Sequence, residues 1–234
     1  MKKVLLGNTG IEVSIAGIGV LPIGPSQLAL PVDTGAEIIR YAFDHGMNFI
    51  DTAQYYRTYP YIRKALENGN YNHVVICSKC LEPDYDSMMY AILEARSELD
   101  RDVIDIFLMH EVRSGQLEER TGAWQALKDA KQSGLVRAIG LSTHHVDIAE
   151  AAAGMPDLDV VFPLINSVAM EDVAMAAPQP KVLNLQSTIT PSSIFRNIFM
   201  MSPHFGLPTV PTPSASGISP TLRGLVKWSS TFSL

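Results

Sequence analysis

Strand-like and helix-like segments alternate along this chain with a nearly constant repeat, and that repeat restricts the fold more than any other feature. Strand segments begin near Ala16, Met47, His73, Val103, Val136 and Leu158, separated by 31, 26, 30, 33 and 22 residues. Helix segments are predicted between them at residues 34–45, 60–68, 85–99, 121–132 and 146–153. In the fourth, Trp124, Leu127 and Ala130 mark one face, while Lys128 and Lys131 mark another. Gly46, Gly69 and Gly134 follow helix ends, where a left-handed cap suits glycine. Such strand–helix units build a parallel sheet, because parallel neighbours need a long crossover between them. Ahead of the repeat, residues 3–6 and 11–14 flank Gly7-Asn8-Thr9-Gly10 and read as a β-hairpin.

Two α/β architectures accommodate this repeat: a doubly wound open sheet and a closed (β/α)8 barrel. A dinucleotide-binding open sheet is expected to carry G-x-G-x-x-G after its first strand. The corresponding stretch, Gly17-Ile-Gly19-Val-Leu-Pro, lacks the third glycine and opens no helix. The barrel is therefore the expected fold. Six strand–helix units precede Asp172, so an incomplete barrel is expected.

Composition explains why the count stops there. All 24 acidic residues lie at or before Asp172, where they meet 14 bases. Residues 173–234 carry Lys181, Arg196, Arg223 and Lys227, no acid, and 8 of the 15 prolines. We expect residues 1–172 to form the barrel portion and residues 173–234 an atypical Pro/Ser/Thr-rich tail.

Several function classes are disfavoured. No run of 18 apolar residues exists, so no membrane-spanning helix is expected. Gly7, Asn8 and Glu12 interrupt any apolar signal core, and a cytoplasmic location is expected. An acidic body repels nucleic acid. Cys77-Ser-Lys-Cys80 has redox spacing, but it ends a strand, where residues three apart face opposite ways. Zinc would need two further ligands, so no metal site is expected.

Barrel enzymes build their sites at the C-terminal rim of the strands. Here the second strand ends in Asp51, the third in Lys79, the fourth in His110 and the fifth in Ser142, with Tyr56 five residues after Asp51. Singly, each has an ordinary explanation: an N-cap, a solvated lysine, a hydrogen-bonded histidine. Together they form a proton-transfer set. A tyrosine alone, with a pKa near 10, is a poor proton donor at neutral pH. A lysine ammonium nearby favours the phenolate, and an aspartate keeps that lysine charged and oriented. A histidine can hold a carbonyl oxygen against the phenol. Such a group suits protonation of an alkoxide as hydride reaches a carbonyl carbon, and hydride requires a nicotinamide.

Four ordered motifs extend this pattern: Leu6-Gly-Asn-Thr-Gly-Ile-Glu-Val-Ser14, Gly46-Met-Asn-Phe-Ile-Asp-Thr-Ala53, Ile104-Asp-Ile-Phe-Leu-Met-His110 and Gly134-Leu-Val-Arg-Ala-Ile-Gly-Leu-Ser142. Through them the chain, from about Leu5 to Met170, resembles the aldo-keto reductases, most closely a bacterial-type branch. The resemblance implies a catalytic tetrad of Asp51, Tyr56, Lys79 and His110, with Tyr56 chosen over Tyr55 by its distance from Asp51. It implies an NADP or NAD cofactor and a small carbonyl substrate. Ser142, Thr143 and Asn166 fall where the family contacts the nicotinamide carboxamide. Many members have Ser-Asn and Gln at these places, so the chain departs from the pattern at Thr143 and Asn166.

The resemblance also implies seventh and eighth units that grip the cofactor phosphates, and no matching motif follows Asp172. A shifted reading frame, a diverged end that still closes the barrel, or a new segment docking on a partner would each leave such a tail. The reading is thus a nicotinamide-dependent carbonyl reductase, with a catalytically impaired relative or a non-catalytic interaction subunit as the alternative. Substrate identity and oligomeric state are not legible.

Overall fold

The computed structural model describes residues 1–67 and 69–164. An antiparallel hairpin comes first, with β1 (Lys3–Leu5) paired to β2 (Glu12–Ser14). Its turn uses Gly7 and Gly10 at φ 53° and 70°. The Thr9 hydroxyl braces it, donating to Leu6 O at 2.6 Å and accepting from Ile11 N at 3.1 Å.

Six strands follow: β3 (Gly17–Gly19), β4 (Phe49–Asp51), β5 (Val75–Cys80), β6 (Ile104–Met109), β7 (Val136–Thr143) and β8 (Val160–Pro163). Between them run α1 (Val32–Asp44), α2 (Tyr59–Leu66), α3 (Tyr85–Leu99), α4 (Thr121–Gln132) and α5 (Val146–Ala153). The strands are parallel and lie in the sheet in sequence order. A doubly wound sheet reverses its order at a switch point. This sheet does not, and it forms part of a (β/α) barrel.

Alternation along the strands separates two cores. Phe49, Val75, Cys77, Ile106, Leu108, Ala138 and Val160 line the interior, joined by Leu6, Ile11 and Val13 of the hairpin region. On the outer face, Ile50, Ile76, Phe107, Ile139 and Val161 pack with the helix residues Ile39, Ile62, Met88, Ile92 and Leu127. Each such side chain contributes about 1.5–3 kcal/mol on full burial.

Asn48 fastens the hairpin to the sheet. Its Oδ1 accepts from Ser14 N at 2.6 Å, and its Nδ2 donates to Glu12 O and His73 O at 3.0 and 3.2 Å. Asn48 N also donates to Ser14 Oγ at 2.9 Å.

The helices fall where the repeat predicts them, with α1 beginning at Val32 just after Pro31 and α2 ending at Leu66. Gly46 and Gly134 take the left-handed conformation expected after a helix, at φ 85° and 73°, whereas Gly69 does not. Asp100 caps α3 at φ 54° without any glycine, a role that aspartate tolerates better than most residues. Cys77 belongs to the interior and Cys80 to the outer core, so the C-x-x-C pair is split by the sheet. Among the described residues no helix is long and apolar enough to cross a membrane. The tail and its boundary at Asp172 lie outside the described residues.

Candidate active site

The sheet brings Asp51, Lys79 and His110 to its C-terminal rim on adjacent strands. Asp51 ends β4 and pairs in register with Cys77; Lys79 lies two residues further along β5, opposite Leu108. Cys77 and Lys79 are two apart, so alternation puts both on the interior face. His110 follows β6, its N–H donating to Cys80 O at 2.8 Å.

A tight loop brings Tyr56 over this rim. Residues Gln54–Tyr56 form a single 3-10 turn, and Arg57 closes it in the left-handed region at φ 56°. The hydroxyls of Thr52 and Thr58, 2.7 Å apart, fasten its two ends. Tyr55 stays 66% exposed. Tyr56 instead sets its oxygen 3.3 Å from His110 Nε2, with the two rings edge-on at 5.5 Å between centroids.

Lys79 Nζ donates to Asp51 Oδ1 and, at 2.8 Å, to Thr52 O. Burial opposes the ammonium, but Asp51 beside it holds its pKa above the ordinary value. Lys79 therefore stays charged. It lies 5.5 Å from the centre of the Tyr56 ring.

One expectation changes here. The Tyr56 phenol is held above its ordinary pKa, because burial outweighs the lowering by Lys79, while Asp51 and Glu111 add to the rise. The lysine's charge is largely answered by Asp51 and does not produce a resting phenolate. His110 is pushed down to about 3, by burial first and then by Lys79, with smaller contributions from its neighbours His144 and Arg120. Its imidazole is therefore neutral. Nδ1 is buried without a hydrogen-bond partner, the sole side-chain atom of that kind among the described residues.

The three candidate cofactor contacts separate. Ser142 Oγ accepts from Glu111 N at 2.9 Å, and its one donor bond, to Met109 O, is stretched to 3.5 Å. It keeps capacity for a further polar partner. The Thr143 hydroxyl is fully engaged, donating to Val112 O at 2.7 Å and accepting from His145 N at 2.9 Å, and the residue is fully buried. This geometry gives the Thr143 side chain a loop-anchoring place rather than a ligand contact. Asn166 lies outside the described residues.

Arg120 escapes any motif search. It is 8% exposed, and its guanidinium donates to His110 O at 2.7 Å. A lone arginine before a predicted helix carries no such signal. An open recess of about 640 Å³ lies nearby, lined by Tyr55, Arg57, Glu82, Asp86 and Tyr90 among others, and none of the four proton-transfer residues borders it.

Comparison with known proteins assigns the chain to a family. Residues 17–185 match the aldo/keto reductase family. L-galactose dehydrogenase of Arabidopsis thaliana is 30% identical over 156 residues, covering 61% of this chain and 49% of that protein. Methylglyoxal reductase DkgA of Escherichia coli is 28% identical over 135 residues, covering 56% of this chain and 46% of that one. The aldo-keto reductase AKR11C1 of Bacillus halodurans superposes with a TM-score of 0.63 at 18% identity, covering 75% of this chain and 63% of that chain. The chain spans about half the length of the curated relatives it matches. By the extent of the family match, the chain belongs to the aldo/keto reductase family.

Proposed function

We propose that this protein reduces an aldehyde or ketone to an alcohol, with NADPH or NADH as hydride donor and Tyr56 as general acid. One observation carries the reading: the Tyr56 hydroxyl meets neutral His110 Nε2 at 3.3 Å, with the Lys79–Asp51 pair behind it. A carbonyl oxygen bridging Tyr56 and His110 would receive two hydrogen bonds. The nicotinamide supplies hydride when bound.

The roles follow from the pKa directions. Tyr56 is protonated at rest, as a proton donor must be. As negative charge develops on the substrate oxygen, Tyr56 passes its proton, and the forming phenolate is stabilised by Lys79. Asp51 and Thr52 O fix that ammonium in place. His110, being neutral, can donate from Nε2 without competing for the proton.

The same reading puts the nicotinamide carboxamide beside Ser142. Ser142 retains bonding capacity at the rim of β7. Ser142 is the proposed carboxamide contact, with Asn166 as its companion.

Relatives named for L-galactose and methylglyoxal support a small carbonyl substrate. A cytoplasmic location belongs to the same reading. The acid-free residues 173–234 favour the second reading, a relative without turnover. Titrating NADPH and NADH into the purified chain by fluorescence, then assaying small aldehydes, decides between them. Cofactor binding with turnover that Tyr56→Phe abolishes supports the reductase. No binding at millimolar cofactor would sink it for this chain.

A further inference from the structure

The peptide plane joining His110 to Glu111 is held from both ends by side chains. Its carbonyl, His110 O, accepts from Arg120 Nη1 at 2.7 Å. Its N–H, on Glu111, donates to Ser142 Oγ at 2.9 Å. Glu111 itself sits in the left-handed region at φ 48°, an uncommon place for a residue with a side chain. Such a conformation persists only where the surroundings over-determine it.

Arg120 is an expensive way to supply that restraint. Buried arginines are rare and are normally paired with an acid. Among the described residues no carboxylate oxygen lies within 4.0 Å of this guanidinium. Its second anchor is neutral: Nη2 donates to Gln116 Oε1 at 3.2 Å, and the same oxygen accepts from Arg113 N at 3.1 Å. The arginine thus links the loop of residues 111–120 to the carbonyl immediately behind the imidazole. Glu111 and Glu119 favour its charge from a distance, but burial outweighs them and holds its pKa below the ordinary value. A local task for it is the simpler account.

We propose that Arg120 is a positioning residue: by clamping the His110–Glu111 peptide it fixes the His110 ring so that Nε2 faces Tyr56. The inference rests on reading His110 as the group that orients the substrate carbonyl. His110 N is tied to Cys80 O and His110 O to Arg120, so hydrogen bonds restrain the main chain on both sides of the ring. The ring's own Nδ1 has no partner to hold it. Its orientation therefore depends on the backbone and on the contact at Nε2. Lys79, His144, Arg120 and Tyr56 are the ionisable groups facing it.

Nitrogen-15 NMR of the imidazoles in the full-length protein tests this without requiring turnover. In the wild type, His110 should show one neutral tautomer between about pH 5 and 8. Arg120→Met keeps the side-chain bulk but removes both bonds, and the His110 signals should move to a mixture of tautomers. Where the wild type turns over, kcat should fall roughly ten- to a hundredfold with KM little changed. Arg120→Lys should recover part of the loss by restoring one donor to His110 O. Unmoved His110 signals in Arg120→Met would overturn the proposal whatever the turnover. If that variant fails to fold, Gln116→Ala decides: a smaller shift in the same sense supports the clamp, and identical ring signals reject it. Shifted signals in a protein whose wild type reduces no carbonyl would support the clamp and remove only the catalytic reading.

Discussion

The Tyr56 oxygen lies 3.3 Å from Nε2 of His110, and the two residues are 54 positions apart in the chain. The contact joins a residue held above its ordinary pKa to one held well below it. Both therefore carry no charge near neutrality. Positive charge at the site resides on Lys79, held by Asp51. The electrostatic asymmetry suits a proton moving from Tyr56 toward a developing alkoxide, with the ammonium behind it.

His110 should make the protein acid-sensitive. Its folded pKa is pushed down to about 3 from an ordinary 6.5. Between those values the unfolded chain binds a proton that the folded one does not, so stability rises with pH across that window. This contribution is fully present above about pH 6.5 and declines as pH falls toward about 3. Urea unfolding from pH 7 to 4 should show a smaller pH dependence in His110→Gln than in the wild type. An identical slope would contradict the assignment. Turnover, where measured, should show no ionisation from His110 near pH 6.5.

Removing Lys79 should damage more than chemistry. Its side chain is 3% exposed and that of Asp51 13%, so Lys79→Met leaves a carboxylate uncompensated. Breaking a buried pair on one side costs about 3–5 kcal/mol. The double variant Asp51→Asn with Lys79→Met should regain much of that loss in denaturant titrations while remaining inactive. Failure of the second change to restore stability would show that the pair is not coupled as described.

Gly140 has no room for a methyl group. A Cβ there would lie 1.7 Å from Val160 O and 2.7 Å from Val160 C, both backbone atoms of the neighbouring strand. Gly140→Ala must separate β7 from β8 and should cost about 3 kcal/mol, at the upper end of ordinary overpacking. Gly134→Ala is the control, since its Cβ would meet open space at φ 73°. That change should cost about 1–2 kcal/mol from backbone strain alone. Equal losses in thermal or urea unfolding would refute the strand-contact explanation.

Asn48 should prove structural rather than catalytic. It is 2% exposed and bonds three backbone groups of the hairpin region and the adjoining strand. Asn48→Ala leaves those groups without partners, at about 1–3 kcal/mol for each one that water cannot reach. Loss of amide-exchange protection should concentrate at residues 3–14. Uniform loss across the sheet would argue against a hairpin clamp.

The helix and strand positions were readable because each element has its own apolar period, and burial on the sheet rewards that period directly. Asp51, Lys79 and His110 were readable because they end recognisable strands, and parallel strands in sequence order align their ends. Asp100 as a helix cap was not, since glycine is the expected signal there and aspartate is ambiguous. Arg120 was not, because its partner is a backbone carbonyl, which leaves no side-chain pattern to match. Thr143 and Ser142 are adjacent and chemically alike, and only their hydrogen bonds separate an engaged hydroxyl from an available one.

The sequence alone determined the strand–helix order, the parallel sheet and the strand-end positions of Asp51, Lys79 and His110, while Tyr56 was selected by resemblance to the family. The order, the sheet and the strand-end positions depend on local periodicity and on where strands end. Tertiary structure decided the protonation of those residues. Burial raised Tyr56 above its ordinary pKa despite Lys79, and burial, with Lys79 beside it, made His110 neutral. Desolvation depends on everything packed around a group, and no spacing in the chain encodes it.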